Sequence, residues 1–473
     1  MKMFINGQWV NSPQMASIYS PYSGEEIDTA PMATPGQVDQ ALAAAEKGAV
    51  IMRNLSAYER TQILMRAADL LDARAEDIAQ TISAEVGKPI AESAGAAVRC
   101  AELMRLSAYV GAQQRGETLP LDSAQGATGK IGFTLRIPCG VVAAITPYNY
   151  PLLLVMHKVA PALASGNAVI LKPASQTPFT ALKLTEILLE AGLPELGIQC
   201  ITGSGSRIGP ALCADNRVRK ISFTGSTEVG EEITKVAGVK RLSLELGSNC
   251  PMVVLPDGDI ELAAEVAAVA GYVNSGQVCI SLQRLIVHRE VYGDFLDALK
   301  PAVEAIKVGD PKAEDTKLGA MISVKEANRV ASWIDEAVQD GARIVTGGEH
   351  EGTVFQPTIV ADVKPEMRIS CDELFGPAVA VTPVDTVDEA LALSNDSDYG
   401  LAMGVFTRDI SKAMRFARDA ETGNVHINWS PLWRADFMPY GGLKGSGYGK
   451  EGPQYVIDSM TEIKTVIIHG IDD

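Results

Sequence analysis

The chain has 473 residues, 47% of them hydrophobic, and a formal net charge of −17. That length exceeds what one core needs and calls for two or three packed units. With no clustering of Lys and Arg, the acidity excludes a nucleic-acid partner and means that any anionic substrate must be received by a local cationic pocket.

The first ten residues, MKMFINGQWV, lack the apolar core of a signal peptide, and no run of about 18 apolar residues suggests a membrane span. The expectation is therefore a cytoplasmic protein with no membrane partner. Seven cysteines without a CxxC pair resemble neither a disulfide framework nor a zinc site, and the five histidines show no ligand spacing, so no metal is expected.

In chain order, residues 36–118 read as helical, with an amphipathic run from Ala57 to Ala79 that places Ile63, Leu64, Ala67, Leu70 and Leu71 on one stripe. Gly140–Thr146 (GVVAAIT) and Ala168–Lys172 (AVILK) are continuously apolar, as strands buried on both faces are. A helix is predicted between them, over Leu152–Ser165, and another over Ala181–Ala191. The strand signal returns at Ile198–Thr202 and Lys220–Phe223, each followed by a glycine-rich turn and a helix. This alternation implies a doubly wound parallel sheet whose ligands sit at the carboxyl ends of the strands.

A second α/β series runs through MVVLP after Pro251, RLIVH (Arg284–His288), ARIV (Ala342–Val345) and GNVHIN (Gly423–Asn428). Thr128–Arg136 and Thr461–His469 fit neither series; their strand character suggests pairing with something distant or with another subunit.

The segment NSGQVCIS (Asn274–Ser281) places Cys279 in a loop after a helix, where a rigid scaffold displays reactive groups. By itself a cysteine is usually a small buried hydrophobe. Its context differs: TPYNYP at 146–151, KPASQTP at 172–178, FTGSTEVG at 223–230, LELGS at 244–248 and ELFGP at 373–377. In that order and at those separations, from FINGQWV at 4–10 to PYGGLKGSGYGKEG at 439–452, the chain resembles the aldehyde dehydrogenase superfamily, and within it the lactaldehyde and non-phosphorylating glyceraldehyde-3-phosphate branch.

The chemistry of the residues agrees with that resemblance. A Cys279 thiolate attacking an aldehyde forms a thiohemiacetal oxyanion, for which the Asn149 side-chain amide and the Cys279 N–H are candidate donors. Collapse of this adduct expels a hydride that a nicotinamide accepts. By resemblance Glu245 is the base that activates water against the resulting thioester; between Leu244 and Leu246, desolvation would raise its pKa into a useful range.

For the cofactor, FTGSTEVG supplies a strand, a turn and a helix N-terminus able to receive a pyrophosphate, with Gly225, Ser226 and Gly230 as contacts. ITGSGSRIG at 201–209 is spaced GxGxxxG and reads as a strand-to-helix turn. The resemblance adds Thr146, assigns Lys172 to the adenosine ribose, and assigns Glu373 with Phe375 to the nicotinamide ribose. Where strictly NAD-dependent members often carry a glutamate, this chain has Ser175; a hydroxyl does not repel a 2′-phosphate, so NADP is expected to be accepted alongside NAD.

Substrate contacts implied by the resemblance lie in the helix Val98–Tyr109, at Tyr150, His157, Val278 and Ile280, and in the loop Trp429–Phe437. Arg99, Arg105 and Arg434 fall in these segments and together suggest a small polar or anionic aldehyde, with Arg99, Tyr150 and Arg434 as the chosen contacts. Two rival functions are a coenzyme A-acylating enzyme, against which Glu245 argues, and a non-catalytic homologue, against which intact Cys279, Asn149 and Glu245 argue. Glu451 could move protons or be structural. The implied fold is α/β: a Rossmann-like cofactor domain (1–118 and 139–247), an α/β catalytic domain (248–454) and a small β oligomerisation arm (119–138 and 455–473). A homodimer or homotetramer is expected.

Overall fold

A computed structural model describes residues 1–470. The strands Val141–Ile145, Ala168–Lys172, Ile198–Cys200, Val218–Thr224 and Arg241–Glu245 form the parallel centre of an eight-stranded sheet. Numbered along the chain, they lie in the order 3-2-1-4-5. The chain thus reverses direction between Val141–Ile145 and Val218–Thr224, which opens a crevice at their carboxyl ends. Every residue of Val141–Ile145 and Ala168–Lys172 is buried, as their unbroken apolar sequences require. Met3–Ile5 and Gln8–Val10 extend one edge as a hairpin whose Asn6-Gly7 turn has both residues at positive φ.

The predicted helical region is four helices: Pro35–Asn54, Ala57–Ala73, Ala75–Val86 and Ile90–Ala112. The run expected over Ala57–Ala79 is broken at Arg74, which leaves helical geometry at φ −112° and ψ 16°. Ile63, Leu64, Ala67 and Leu71 are buried, whereas Leu70 lies at the margin of the stripe. Both Ala57–Ala73 and Pro35–Asn54 begin with reciprocal capping boxes, Ser56 with Glu59 and Thr34 with Gln37.

Gly447–Tyr448 pairs antiparallel with Arg241–Glu245 at the other edge of the first sheet, and four residues separate Glu245 from Cys250–Val254, which begins a second sheet of seven strands. Six of these are parallel; Arg343–Thr346, read from the sequence as a member of the same series, instead pairs antiparallel with Thr358–Ala361 at the edge. The strands Leu282–His288, Thr358–Ala361, Ala378–Val384, Ala402–Phe406 and Asn424–Ile427 complete the layer.

The two orphan strands pair with each other. Lys130–Pro138 and Thr461–His469 are antiparallel over nine residue pairs, and Thr118–Leu119 adds a third strand. The partner is therefore distant in sequence and within the same chain. Val456, Ile457 and Met460, just before that strand, are packed into the core of the first unit. Residues 471–473 of the predicted arm lie outside the described residues. Among the described residues no helix is long and apolar enough to cross a membrane.

Candidate active site

Cys279 is carried on a backbone turn of unusual geometry. Asn274, Ser275 and Gly276 have φ of 51°, 55° and 70°, three left-handed residues in a row, a conformation that L side chains resist. Gly276 also has no room for a side chain, since a Cβ there would lie 2.0 Å from the Gly376 carbonyl oxygen. The turn is pinned by its neighbours: Ser275 Oγ donates to the Gly319 carbonyl at 3.1 Å, and Gln277 Oε1 accepts from the Ile322 N–H at 2.9 Å.

The Cys279 sulfur lies 3.0 Å from the Tyr440 hydroxyl. Burial pushes the thiol up to about 12; the Tyr440 hydrogen bond opposes this and the nearby Glu245 adds to it. Asn149 is 3% exposed, and its amide nitrogen donates to the Gln277 carbonyl at 2.8 Å, two residues from Cys279. An NH2 group has two hydrogens, so a second donor remains for an oxygen bound beside the sulfur.

Glu245 closes its strand at 5% exposure, with Oε2 unpaired. Burial raises its pKa well above the usual carboxylate range, and the negative charge of Glu451 raises it further. Space for the carboxyl exists because residue 441 is glycine: a Cβ there would stand 2.6 Å from Glu245 Oε1.

Behind Tyr440 lies a buried charge cluster. The Arg434 guanidinium is 3.9 Å from the Tyr440 ring centroid and donates to Glu451 Oε2 at 2.8 Å. Lys158 donates to the other oxygen of Glu451 at 3.2 Å. Although burial opposes it, these two cations hold Glu451 well below the usual carboxylate range. His157 sits 3.2 Å from Arg434 through Nδ1, and burial followed by that cation pushes it down to about 4.

The crevice at the switch point has a volume of about 530 Å³ and is lined by Thr146, Lys172, Ser175, Gly225 and Ser226 among others. A larger cavity of about 780 Å³ lies beside Thr34 and Arg217 and touches none of these groups. Chemistry favours the smaller one as a dinucleotide cleft. The hydroxyls of Thr146 and Thr224 are buried there without a partner, and burial alone pushes Lys172 down to about 8. Ser226 caps the helix Thr227–Val236, whose N-terminal N–H groups suit an anion. These are features that a bound pyrophosphate and ribose would satisfy.

Gly230, expected among the cofactor contacts, does not line this crevice. It lets the helix close on its sheet, because a Cβ there would stand 2.5 Å from the Leu246 side chain. Glu373 accepts the Ser248 N–H at 2.9 Å, next to the segment joining the two sheets, and burial raises it to about 7. Phe375 has φ of 48° and meets the Tyr148 ring edge-on at 6.2 Å.

Of the three arginines, Arg105 points away from the site and pairs with Asp69 and Asp72 at 2.7 and 2.6 Å. Arg99 is held by both oxygens of Asp436, at 2.8 and 2.6 Å. Arg99, Trp429, Trp433 and Arg434 border a cavity of about 490 Å³. Tyr150, Val278 and Ile280 share one apolar cluster with Cys279 and Tyr440. Sequence reasoning missed Tyr440, although it lies in the PYGGLKGSGYGKEG segment at 439–452, and Lys158, which had no local signal and reaches the site only through folding.

A thiol, an amide and a buried carboxyl brought together beside a dinucleotide cleft define an oxidoreductase of the aldehyde dehydrogenase type. The chain belongs to this family: residues 9–466 match the profile of the Aldehyde dehydrogenase family. It is similar to a 3-sulfolactaldehyde dehydrogenase of Priestia aryabhattai, 44% identical over 99% of this chain and 98% of that protein. It is 40% identical to a lactaldehyde dehydrogenase of Methanococcus aeolicus, over 99% of this chain and all of the other. Among solved structures, the NADP-dependent glyceraldehyde-3-phosphate dehydrogenase from Bacillus halodurans, complexed with NADP, superposes with a TM-score of 0.97 at 36% identity, covering 99% of both chains. The protein is thus an NAD(P)-dependent oxidoreductase acting on aldehydes.

Proposed function

We propose that the protein oxidises a small anionic aldehyde to its carboxylic acid, with Cys279 as nucleophile, Asn149 as oxyanion donor and Glu245 as the base for hydrolysis. The observation that carries this reading is the convergence of the three: a thiol on a pinned turn, an amide donating two residues away, and a buried carboxyl with an unpaired oxygen. Cys279 gives up its thiol proton to solvent and adds as the thiolate to the aldehyde carbon, and the second N–H of Asn149 steadies the oxygen as it becomes negative. Thr146, Lys172, Ser175, Gly225 and Ser226 would hold the cofactor, and Glu373 and Phe375 would hold its nicotinamide ribose. When bound, the nicotinamide supplies the acceptor for the hydride leaving the carbon attached to sulfur. Glu245, once ionised, takes a proton from the water that attacks the thioester, returning Cys279 as a thiol and releasing the acid. A buried base at this place favours hydrolysis over transfer to coenzyme A.

The anionic substrate follows from a charge count. Arg434 and Lys158 share one carboxylate, Glu451, while Arg99 is neutralised by Asp436 and His157 is held neutral. While Glu245 is protonated, one positive charge is left over in this cluster, and Arg434 Nε is buried without a partner. Arg434 is therefore the preferred contact, with Tyr150 shaping the apolar wall. The relatives that act on sulfolactaldehyde, lactaldehyde and glyceraldehyde-3-phosphate are named for small polar substrates, two of them anionic.

The test is a panel of 3-sulfolactaldehyde, glyceraldehyde-3-phosphate, succinate semialdehyde, lactaldehyde and propanal, followed by cofactor absorbance with wild type and Arg434→Gln. Wild type should prefer the anionic members. Arg434→Gln should lower the anionic-to-propanal ratio of kcat/KM by roughly 10- to 100-fold, the worth of one charge-assisted contact. Propanal turned over as efficiently as the anionic aldehydes would remove the substrate assignment, and activity in Cys279→Ala would remove the mechanism.

A further inference from the structure

Two groups of opposite charge behind the site have no part in the chemistry above. Lys88 precedes the helix Ile90–Ala112 and is 1% exposed; Glu92 lies in that helix's first turn. The Lys88 ammonium sits 3.3 Å from the Tyr150 ring centroid and donates to the Asn149 carbonyl at 3.1 Å. The Glu92 carboxylate accepts the N–H of Asn274, at 3.2 Å for Oε2. Burial pushes Lys88 down to about 8 and Glu92 up, and each opposes the other's shift.

These contacts meet at two carbonyls. The Asn149 carbonyl accepts from Lys88 and, at 3.2 Å, from the Asn274 amide; the Gln277 carbonyl accepts from Asn149 at 2.8 Å and from Asn274 at 3.3 Å. Asn274 begins the left-handed turn that presents Cys279. Backbone in that region relaxes unless its surroundings over-determine it, and Glu92 holds it by its N–H.

We propose that Lys88 and Glu92 are positioning residues that clamp the oxyanion donor Asn149 against the Cys279 turn, Lys88 through the Asn149 peptide and Glu92 through Asn274. A methionine would fill the volume of Lys88 without the desolvation cost of a buried charge. What the ammonium adds is direction: a donor fixed on the Asn149 carbonyl, stacked so that it cannot swing. The clamp rests on the reading of Asn149 as oxyanion donor and Cys279 as nucleophile.

The experiment uses Lys88→Met/Glu92→Gln, which removes both charges and keeps the shapes, alone and combined with Asn149→Ala. The readouts are the rate of the pre-steady-state burst of reduced cofactor, the NADP dissociation constant and the Tm. The double variant is expected to bind NADP as wild type does and to acylate about 10- to 100-fold more slowly, the scale of a small misplacement of a reacting group. On the Asn149→Ala background the same changes should add no further loss. Glu92→Leu, which leaves Lys88 its contacts, is the second arm if the double variant does not fold, with the same expected cycle. A wild-type burst rate in a folded variant, or a loss that multiplies with that of Asn149→Ala, overturns the clamp. The parent reading fails differently, through a wild-type burst in Asn149→Ala itself.

Discussion

The Tyr440 hydroxyl lies 3.0 Å from the Cys279 sulfur, so the proposed nucleophile is a buried thiol with one polar neighbour to ease its ionisation. Because burial pushes that thiol up to about 12, the neutral form predominates at neutral pH. Alkylation of Cys279 by iodoacetamide should keep accelerating from neutral into alkaline pH, without a plateau near 7. Tyr440→Phe should slow it roughly tenfold at a given pH, the worth of one hydrogen bond to a charged group. A plateau at neutral pH in the cofactor-free enzyme would show a thiolate already formed.

The proposed base Glu245 can take a proton only when ionised, and its pKa is raised by burial and by Glu451. Hydrolysis, and with it kcat, should therefore climb as pH rises through the neutral range instead of levelling off above pH 5, where an exposed glutamate would already be fully ionised. Glu245→Gln should retain one burst of reduced cofactor per active site and then stall, with kcat lowered about 10²- to 10⁴-fold. Quench-flow with mass detection of the acyl-enzyme distinguishes this from loss of the burst itself, which would move Glu245 to the acylation step.

Ser175 borders the dinucleotide cleft with no carboxylate in its place. Introducing one by Ser175→Glu should repel a 2′-phosphate and shift the kcat/KM ratio toward NAD by about 10- to 100-fold, corresponding to roughly 1.4–2.8 kcal/mol. Initial rates with both cofactors at one saturating aldehyde measure it. An unchanged ratio would mean the phosphate is received elsewhere.

The three-stranded sheet ending in Thr461–His469 exposes apolar side chains on both faces. Ile131 and Ile468 are paired on one face at 48% and 47% exposure, and Ile463 and Ile467 lie on the other at 61% and 47%. Such a sheet is marginal by itself and its outer edge is unpaired, which supports assembly through it as a dimer or tetramer. Light scattering coupled to size exclusion should give a multiple of 50.2 kDa, and Ile463→Lys/Ile467→Lys should shift it toward the single chain. A wild-type monomer at micromolar concentration would end this proposal.

Local sequence was enough for the parallel strands Val141–Ile145 and Ala168–Lys172, because apolar residues without alternation can only be buried on both faces. Cys279 and Glu245 were singled out by the resemblance of the ordered motifs to the aldehyde dehydrogenase superfamily, with the loop setting of one and the apolar neighbours of the other in agreement. Local sequence could not show that the Ala57–Ala79 run breaks at Arg74, since apolar periodicity continues across a one-residue interruption. Nor could it order the seven-stranded sheet or distinguish the antiparallel edge at Arg343–Thr346, because pairing partners are chosen by packing across the layer.

The same limit divides the site. The types of group needed, a thiol, an amide, a carboxyl and a strand-turn-helix for a dinucleotide, were readable from segments of a few residues, since each chemistry demands its own residue type. Which cations face them was not: Arg99, Arg105 and Arg434 look alike in sequence, yet only folding commits Arg105 to Asp69 and Asp72, Arg99 to Asp436, and Arg434 to the ring above Cys279. An ion pair requires its partners within about 4 Å of each other. Whether an arginine serves the substrate is therefore decided by the neighbours folding gives it, whether these lie 33 residues away, as Asp72 does from Arg105, or 337, as Asp436 does from Arg99.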